Sequence, residues 1–204
     1  MMIKTPQALL FSFLPFSLAM AGLATTSCAP ALAPAMTAAP AVERAPEGAA
    51  LVVFVRPGSA CDTADHAVIV DEQGAFVGNA APRSQFAAVV TPGEHVFFAW
   101  PSLDLRSQKT GWDPVGVIRM KVAPGDVVRI GVQVPEFSKL HCNRYATFIF
   151  TTRFAEGELD AWLADARPMV ADKGAGQRAL DAEPEVVQAH LQEGRRRLAA
   201  PPTR

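Results

Sequence analysis

Residues 126–134 read DVVRIGVQV. Val128, Ile130, Val132 and Val134 fall on one side of an extended chain, and Arg129, Gly131 and Gln133 on the other. That period of two belongs to a strand with one buried face. Working outward, seven further runs share its β-rich character: ALVVFVR (50–56), HAVIVD (66–71), AFVGN (75–79), SQFAAVV (84–90), EHVFFAW (94–100), VGVIRMKV (115–122) and RYATFIFTT (144–152). Pro57-Gly58, Glu72-Gln73-Gly74, Thr91-Pro92-Gly93, Pro101, Ala123-Pro124-Gly125 and Pro135 punctuate them. Short β-rich runs separated by Pro-Gly or Gly turns predict a mainly β fold over residues 50–152, an antiparallel β-sandwich, with a barrel as the alternative.

Two of the turns echo each other. Val90-Thr91-Pro92-Gly93-Glu94-His95-Val96 is matched by Val122-Ala123-Pro124-Gly125-Asp126-Val127-Val128. Proline fixes φ at one turn position and glycine supplies φ > 0 at the next, so each segment is expected to close a hairpin. Two copies are too few for a solenoid.

Residues 153–204 change character. Leu159, Trp162, Leu163 and Ala166 recur at helical spacing and predict an amphipathic helix over 156–167, ended by Pro168. Lys173-Gly174-Ala175-Gly176 is expected to interrupt the chain. A second helix starts near Asp181 and Pro184, with Val187, His190, Leu191 and Leu198 on one face. This C-terminal pair of helices is expected to cap the sandwich, the alternative being a docking surface for a partner. Glu183 and Glu185 suit a helix start and Arg195-Arg196-Arg197 a solvated helix end, where lipid headgroups are the other reading for the arginines.

The chain opens differently again. Lys4 precedes an uncharged apolar stretch, Ala8 to Ala24, followed by Thr25-Thr26-Ser27-Cys28. A basic start, an apolar middle and small residues at the exit make 1–27 a signal peptide. Pro15 and the short apolar length count against a permanent membrane helix. Ser27-Cys28 resembles the bacterial lipobox, although Thr25 stands where leucine is usual. The resemblance implies that Cys28 becomes an acylated N-terminus, carrying a lipid such as palmitate. Ordinary cleavage near Ala31-Leu32-Ala33 is the alternative. Ala29 after the cysteine implies the outer membrane, with the protein facing the periplasm. Residues 28–49 are rich in alanine and proline, and read as a solvated tether near polyproline II. At about 3.1 Å per residue it would reach roughly 60 Å.

Val68-Ile69-Val70-Asp71, Gly74, Val77-Gly78 and Val90-Thr91-Pro92-Gly93-Glu94-His95 together resemble the PEGA-type β-sandwich domains of bacterial envelope proteins. The similarity spans about residues 50–134. It implies a non-catalytic envelope module and assigns no ligand residues.

Composition sets limits on partners. Of 204 residues, 19 are Lys or Arg and 20 are Asp or Glu. That balance lacks the basic surface needed for nucleic acid. With Cys28 lipidated, Cys61 and Cys142 remain. In an exported protein they read as one disulfide, the null being two separate thiols. Asp65, His66 and His141 could join them in a metal site, but the spacing matches no standard ligand set. No G-x-S-x-G, H-E-x-x-H or P-loop pattern occurs, so neither an enzyme nor a cofactor is expected. His95 reads as a turn-flanking polar residue. The long connection PSLDLRSQKTGWDP (101–114) offers Trp112 as a ligand contact, for example to cell-wall glycan, its bland reading being a plug at the end of the sandwich. An envelope protein is the other partner considered.

Overall fold

The computed structural model describes residues 35–58, 66–101, 115–133 and 148–200. In chain order the elements are β1 (Met36–Ala38), β2 (Ala50–Arg56), β3 (Ala67–Asp71), β4 (Phe76–Ala80), β5 (Ser84–Val90), β6 (Gly93–Pro101), β7 (Gly116–Val122), β8 (Val127–Gln133), β9 (Ile149–Thr151), α1 (Glu158–Asp165), β10 (Arg167–Ala171), α2 (Lys173–Asp181) and α3 (Pro184–Ala199). A six-stranded sheet has the order β1-β10-β5-β2-β8-β9, and a four-stranded sheet the order β4-β3-β6-β7. The antiparallel sandwich expected from the alternation is present. Two of its pairings, β2 with β8 and β10 with β5, are parallel.

Alternate residues of the strands meet between the sheets. Val52 and Phe54 of β2, Phe86 of β5 and Ile130 of β8 face Ile69 of β3 and Phe97 of β6. Phe54 sits at the centre, 5.1 Å from the Phe86 ring in a stacked arrangement and 5.2 Å from the Phe97 ring edge to face. Both geometries suit the aromatic quadrupole.

The outer faces are covered as well. Val68, Val70, Phe98 and Trp100 of the four-stranded sheet pack against Leu180 of α2 and Val187 and Leu191 of α3. Leu51, Val53 and Val55 of β2 lie under Leu159, Trp162 and Leu163 of α1, with Ala45 alongside. The C-terminal helices therefore dock on the sandwich. Two close approaches seat them. A Cβ on Gly131 would come within 2.6 Å of the Trp162 ring, and one on Gly194 within 2.6 Å of Phe98.

Of the three arginines expected to form a solvated helix end, Arg195 and Arg196 are exposed as expected, while Arg195 and Arg197 also tie α3 to the body. Arg195 donates to the Glu72 carbonyl at 3.0 Å and Arg197 to the Val115 carbonyl at 2.8 Å. Arg196 and Arg197 both bind the buried Glu193 carboxylate at 2.6 Å.

The two echoing turns do not close hairpins. Thr91-Pro92-Gly93 carries the chain from β5 in one sheet to β6 in the other, and Ala123–Asp126 carries it back from β7 to β8. In the second, Asp126 N–H donates to the Ala123 carbonyl at 3.1 Å and Gly125 has φ 84°, a type II turn. The arches lie side by side, since Gly93 pairs with Val122. A local turn signal reports that the chain reverses. It does not report which sheet receives the next strand.

Two elements depart further from the sequence reading. Pro168 ends no helix in open chain. It sits within β10, whose residues pair with both β5 and β1. Nor are all of residues 28–49 solvated: Ala35 is buried and Met36–Ala38 forms an edge strand. Short strands of this kind gain stability only from neighbours, so their local sequence carries little signal.

The Gly174 and Gly176 pair, expected to interrupt the chain, lies inside α2. Asp172 caps this helix by accepting the Ala175 N–H at 2.9 Å. A Cβ on Gly176 would fall 2.1 Å from Phe76, whereas one on exposed Gly174 meets only flexible side-chain ends at 3.4 Å or more. Gly176→Ala should lower stability by about 1–3 kcal/mol through overpacking. Gly174→Ala should leave stability unchanged or raise it by up to about 1 kcal/mol. Denaturant melts of both variants against the parent check the contrast.

Candidate functional site

The strand ends at Arg56, Ala67, Ala80, Ser84, Pro101, Gly116 and Gln133 gather at one end of the sandwich, as the registers Arg56↔Ser84, Ala67↔Ala80, Ala67↔Pro101 and Ala99↔Gly116 require. The arches occupy the opposite end. Strands β2, β6 and β8 all run out at this loop end.

Within this end lies a set of buried polar residues. Arg56 follows Val52 and Phe54 on the inner face of β2 and is only 3% exposed. Its Nη1 donates to the Ala80 carbonyl at 2.8 Å, and its guanidinium lies 4.9 Å over the Phe148 ring. That position satisfies a buried cation through a carbonyl and a π-face. Asn79, 1% exposed, places Nδ2 at 3.3 Å from His66 Nδ1. The amide is the donor in that pair, which puts the imidazole proton on Nε2. Burial, with the Arg56 charge second, holds His66 below the usual histidine range. Trp100 is wholly buried and stacks on His190 at 5.0 Å. Among the described residues, Asn79 Oδ1 and Trp100 Nε1 make no hydrogen bond. Each such group costs about 1–3 kcal/mol.

This arrangement is suited to holding hydrogen-bonding groups. Arg56 is a fixed donor, and His66 is kept as a neutral imidazole. A second cation beside Arg56 is electrostatically disfavoured, which weakens His66 as a metal ligand. No group of three His, Cys, Asp or Glu side chains is placed to hold a metal among the described residues. Asp65 and His141, the other residues of that reading, lie outside the described residues, as do Cys28, Cys61, Trp112 and Cys142. β2 leads into the segment that holds Cys61, and β9 follows the segment that holds Cys142. In the structure β8 stands between β2 and β9, although β2 and β8 both end on this side.

Sequence reasoning passed over Arg56 and Asn79. A signal for Arg56 was present: counting by twos from Val52 puts it on the inward face, where an arginine is out of place. Asn79 gives no such signal, because all five residues of β4 are buried.

Comparison with protein-family models, curated proteins and solved structures finds no match to this chain.

The depressed His66 pKa has a consequence for stability. Between its folded value and the unfolded value near 6.5, the unfolded chain binds more protons than the fold. Stability contributed by neutral His66 is therefore full above about pH 6.5 and declines as pH falls through that window. Thermal melts from pH 7.5 to 5 should show this decline, and His66→Gln should flatten it. Glu193 is held low chiefly by its hydrogen bond to Arg196, with Arg197 assisting against burial, so its contribution is lost only in a more acidic range.

Proposed function

We propose that this chain is an exported envelope lipoprotein. In this reading residues 1–27 are removed, acylated Cys28 holds the protein on a membrane, most simply the outer membrane facing the periplasm, and the sandwich serves as a non-catalytic binding or structural module. The observation that carries the proposal is the run from Lys4 through the apolar segment to Ser27-Cys28. Chain direction is compatible with it. β1 runs from the level of Ala171 towards that of Met169, and β10 starts beside Ser84 at the loop end. The chain thus enters from the arch side, leaving the loop end to point away from an anchor. Acyl chains bind a bilayer at about 0.8 kcal/mol per buried CH₂, and more than one chain makes the attachment stable.

A second reading, a glycan-binding module, is favoured by the position of Trp112 in the connection that leaves Pro101 at the loop end. An indole face can stack on a sugar ring. Trp112→Ala should then weaken retention on cell-wall material about tenfold with the melting curve unchanged; equal retention removes this reading. Cys61 and Cys142 are proposed to be bridged across the same end. Their enclosed segment of about 80 residues gives up to about 4.5 kcal/mol in the chain-entropy model.

Intact-mass analysis of protein extracted from native membranes tests the main reading. The expected mass begins at Cys28 with acyl groups attached and is two protons lighter per disulfide. Cys28→Ala should move the protein to the soluble fraction. A mature chain that retains residues 1–27, or one that fractionates with cytosolic contents, overturns the proposal.

A further inference from the structure

At the arch end the sandwich does not seal. A cleft of about 430 Å³ opens between the sheets, walled by Val77, Ala88, Val90 and Phe97. This volume falls in the range of small-ligand sites. The register shows that two polar residues stand where the alternation calls for core. Asp71 pairs with Phe97, and His95 with Met120, and both partners belong to the space between the sheets. Polar side chains at inward positions of otherwise apolar strands are the kind of local exception that function maintains.

Both groups are held in place. Asp71 Oδ1 accepts the Gln73 and Ala75 N–H groups at 3.0 and 2.8 Å. That leaves Oδ2 to face a ligand. His95 Nε2 lies 2.7 Å from the Thr91 carbonyl, so it carries the ring proton, and the ring stacks near-parallel to Phe97 at 14°. Nδ1 is then an acceptor. Glu72 adds a carboxylate at the rim and Lys173 a cation, while Glu94, opposite Lys121 in the register, belongs to the outer face of the sheet. Arg195, bound to the Glu72 carbonyl, fixes the turn that carries Asp71 and Glu72. The mouth is thus rich in acceptors and net negative, above an apolar floor with an aromatic face.

We propose that this cleft binds an alkylammonium group, a protonated amine on an apolar stem. The stem lies along Val77, Ala88 and Val90, and the ammonium meets Asp71 Oδ2 and His95 Nδ1. This inference goes beyond the envelope reading and stands whether or not Cys28 is acylated. Two sources carry such a group, a free diamine and a lysine side chain in a peptide.

Titration calorimetry on the full chain in detergent, with 1,5-diaminopentane and with Nα-acetyl-lysine methylamide as probes, tests it. Saturable binding of at least one is expected, weakening with salt as exposed ion pairs do. The tighter of the two identifies the source. Asp71→Asn keeps the Oδ1 acceptor of the turn, so this variant should retain the parent's melting curve while losing at least tenfold in affinity. Uncharged 1,5-pentanediol should not bind. No saturable binding of either amine, equal binding of the diol, or unchanged affinity in Asp71→Asn overturns the proposal.

Discussion

Strand β2 has no solvent face. All seven of its residues are buried, and it lies between β5 and β8 in the middle of the larger sheet. A strand covered on both sides demands a layer on each. The four-stranded sheet supplies one through Phe54 and its aromatic neighbours, and α1 with Ala45 supplies the other. β3 and β4 make the same demand of α2 and α3. The molecule is therefore a sandwich wrapped by helices, and its C-terminal segment is a structural part of the body. Two layers alone would leave Val68, Val70, Phe98 and Trp100 in water, at a loss of roughly 1.5–3 kcal/mol for each large side chain.

Faces closed in this way leave the ends as the places where chemistry can reach solvent. The two ends differ. At the loop end, Arg56 closes the space between the sheets with a cation held by a carbonyl and a ring. At the arch end the turns are short, and Asp71 and His95 line the opening. A cationic plug at one end and an acceptor-lined mouth at the other are opposite solutions to the same unsealed edge.

Much of this was legible in the residues. The eight strands read from periodicity all appear, and those at 50–56 and 84–90 keep their boundaries. Val187, His190, Leu191 and Leu198 share a face of α3, as their spacing requires. What escaped notice depended on distant partners. β1 and β10 are short, and each is stabilised by the other. Gly176 reads as a helix breaker until Phe76 is seen to need its missing Cβ. The candidate sites fared less well, because Asp71, His95 and Asn79 matter through the residues opposite them in register, and register is a property of pairs.

The sequence by itself determined the class of fold, the positions of eight of its strands and of the turns between them, and the features from which export and acylation of Cys28 are proposed. These rest on local physics: the period of two in a pleated chain, the fixed φ of proline, the freedom of glycine, and the hydrophobicity of a leader. Only the tertiary structure decided that the echoing turns join two sheets, that the helices cover their outer faces, and that Arg56 and Asp71 sit at opposite ends of one core. Those outcomes depend on burying two faces of the same strand at once, and no window of sequence contains the residues that do so.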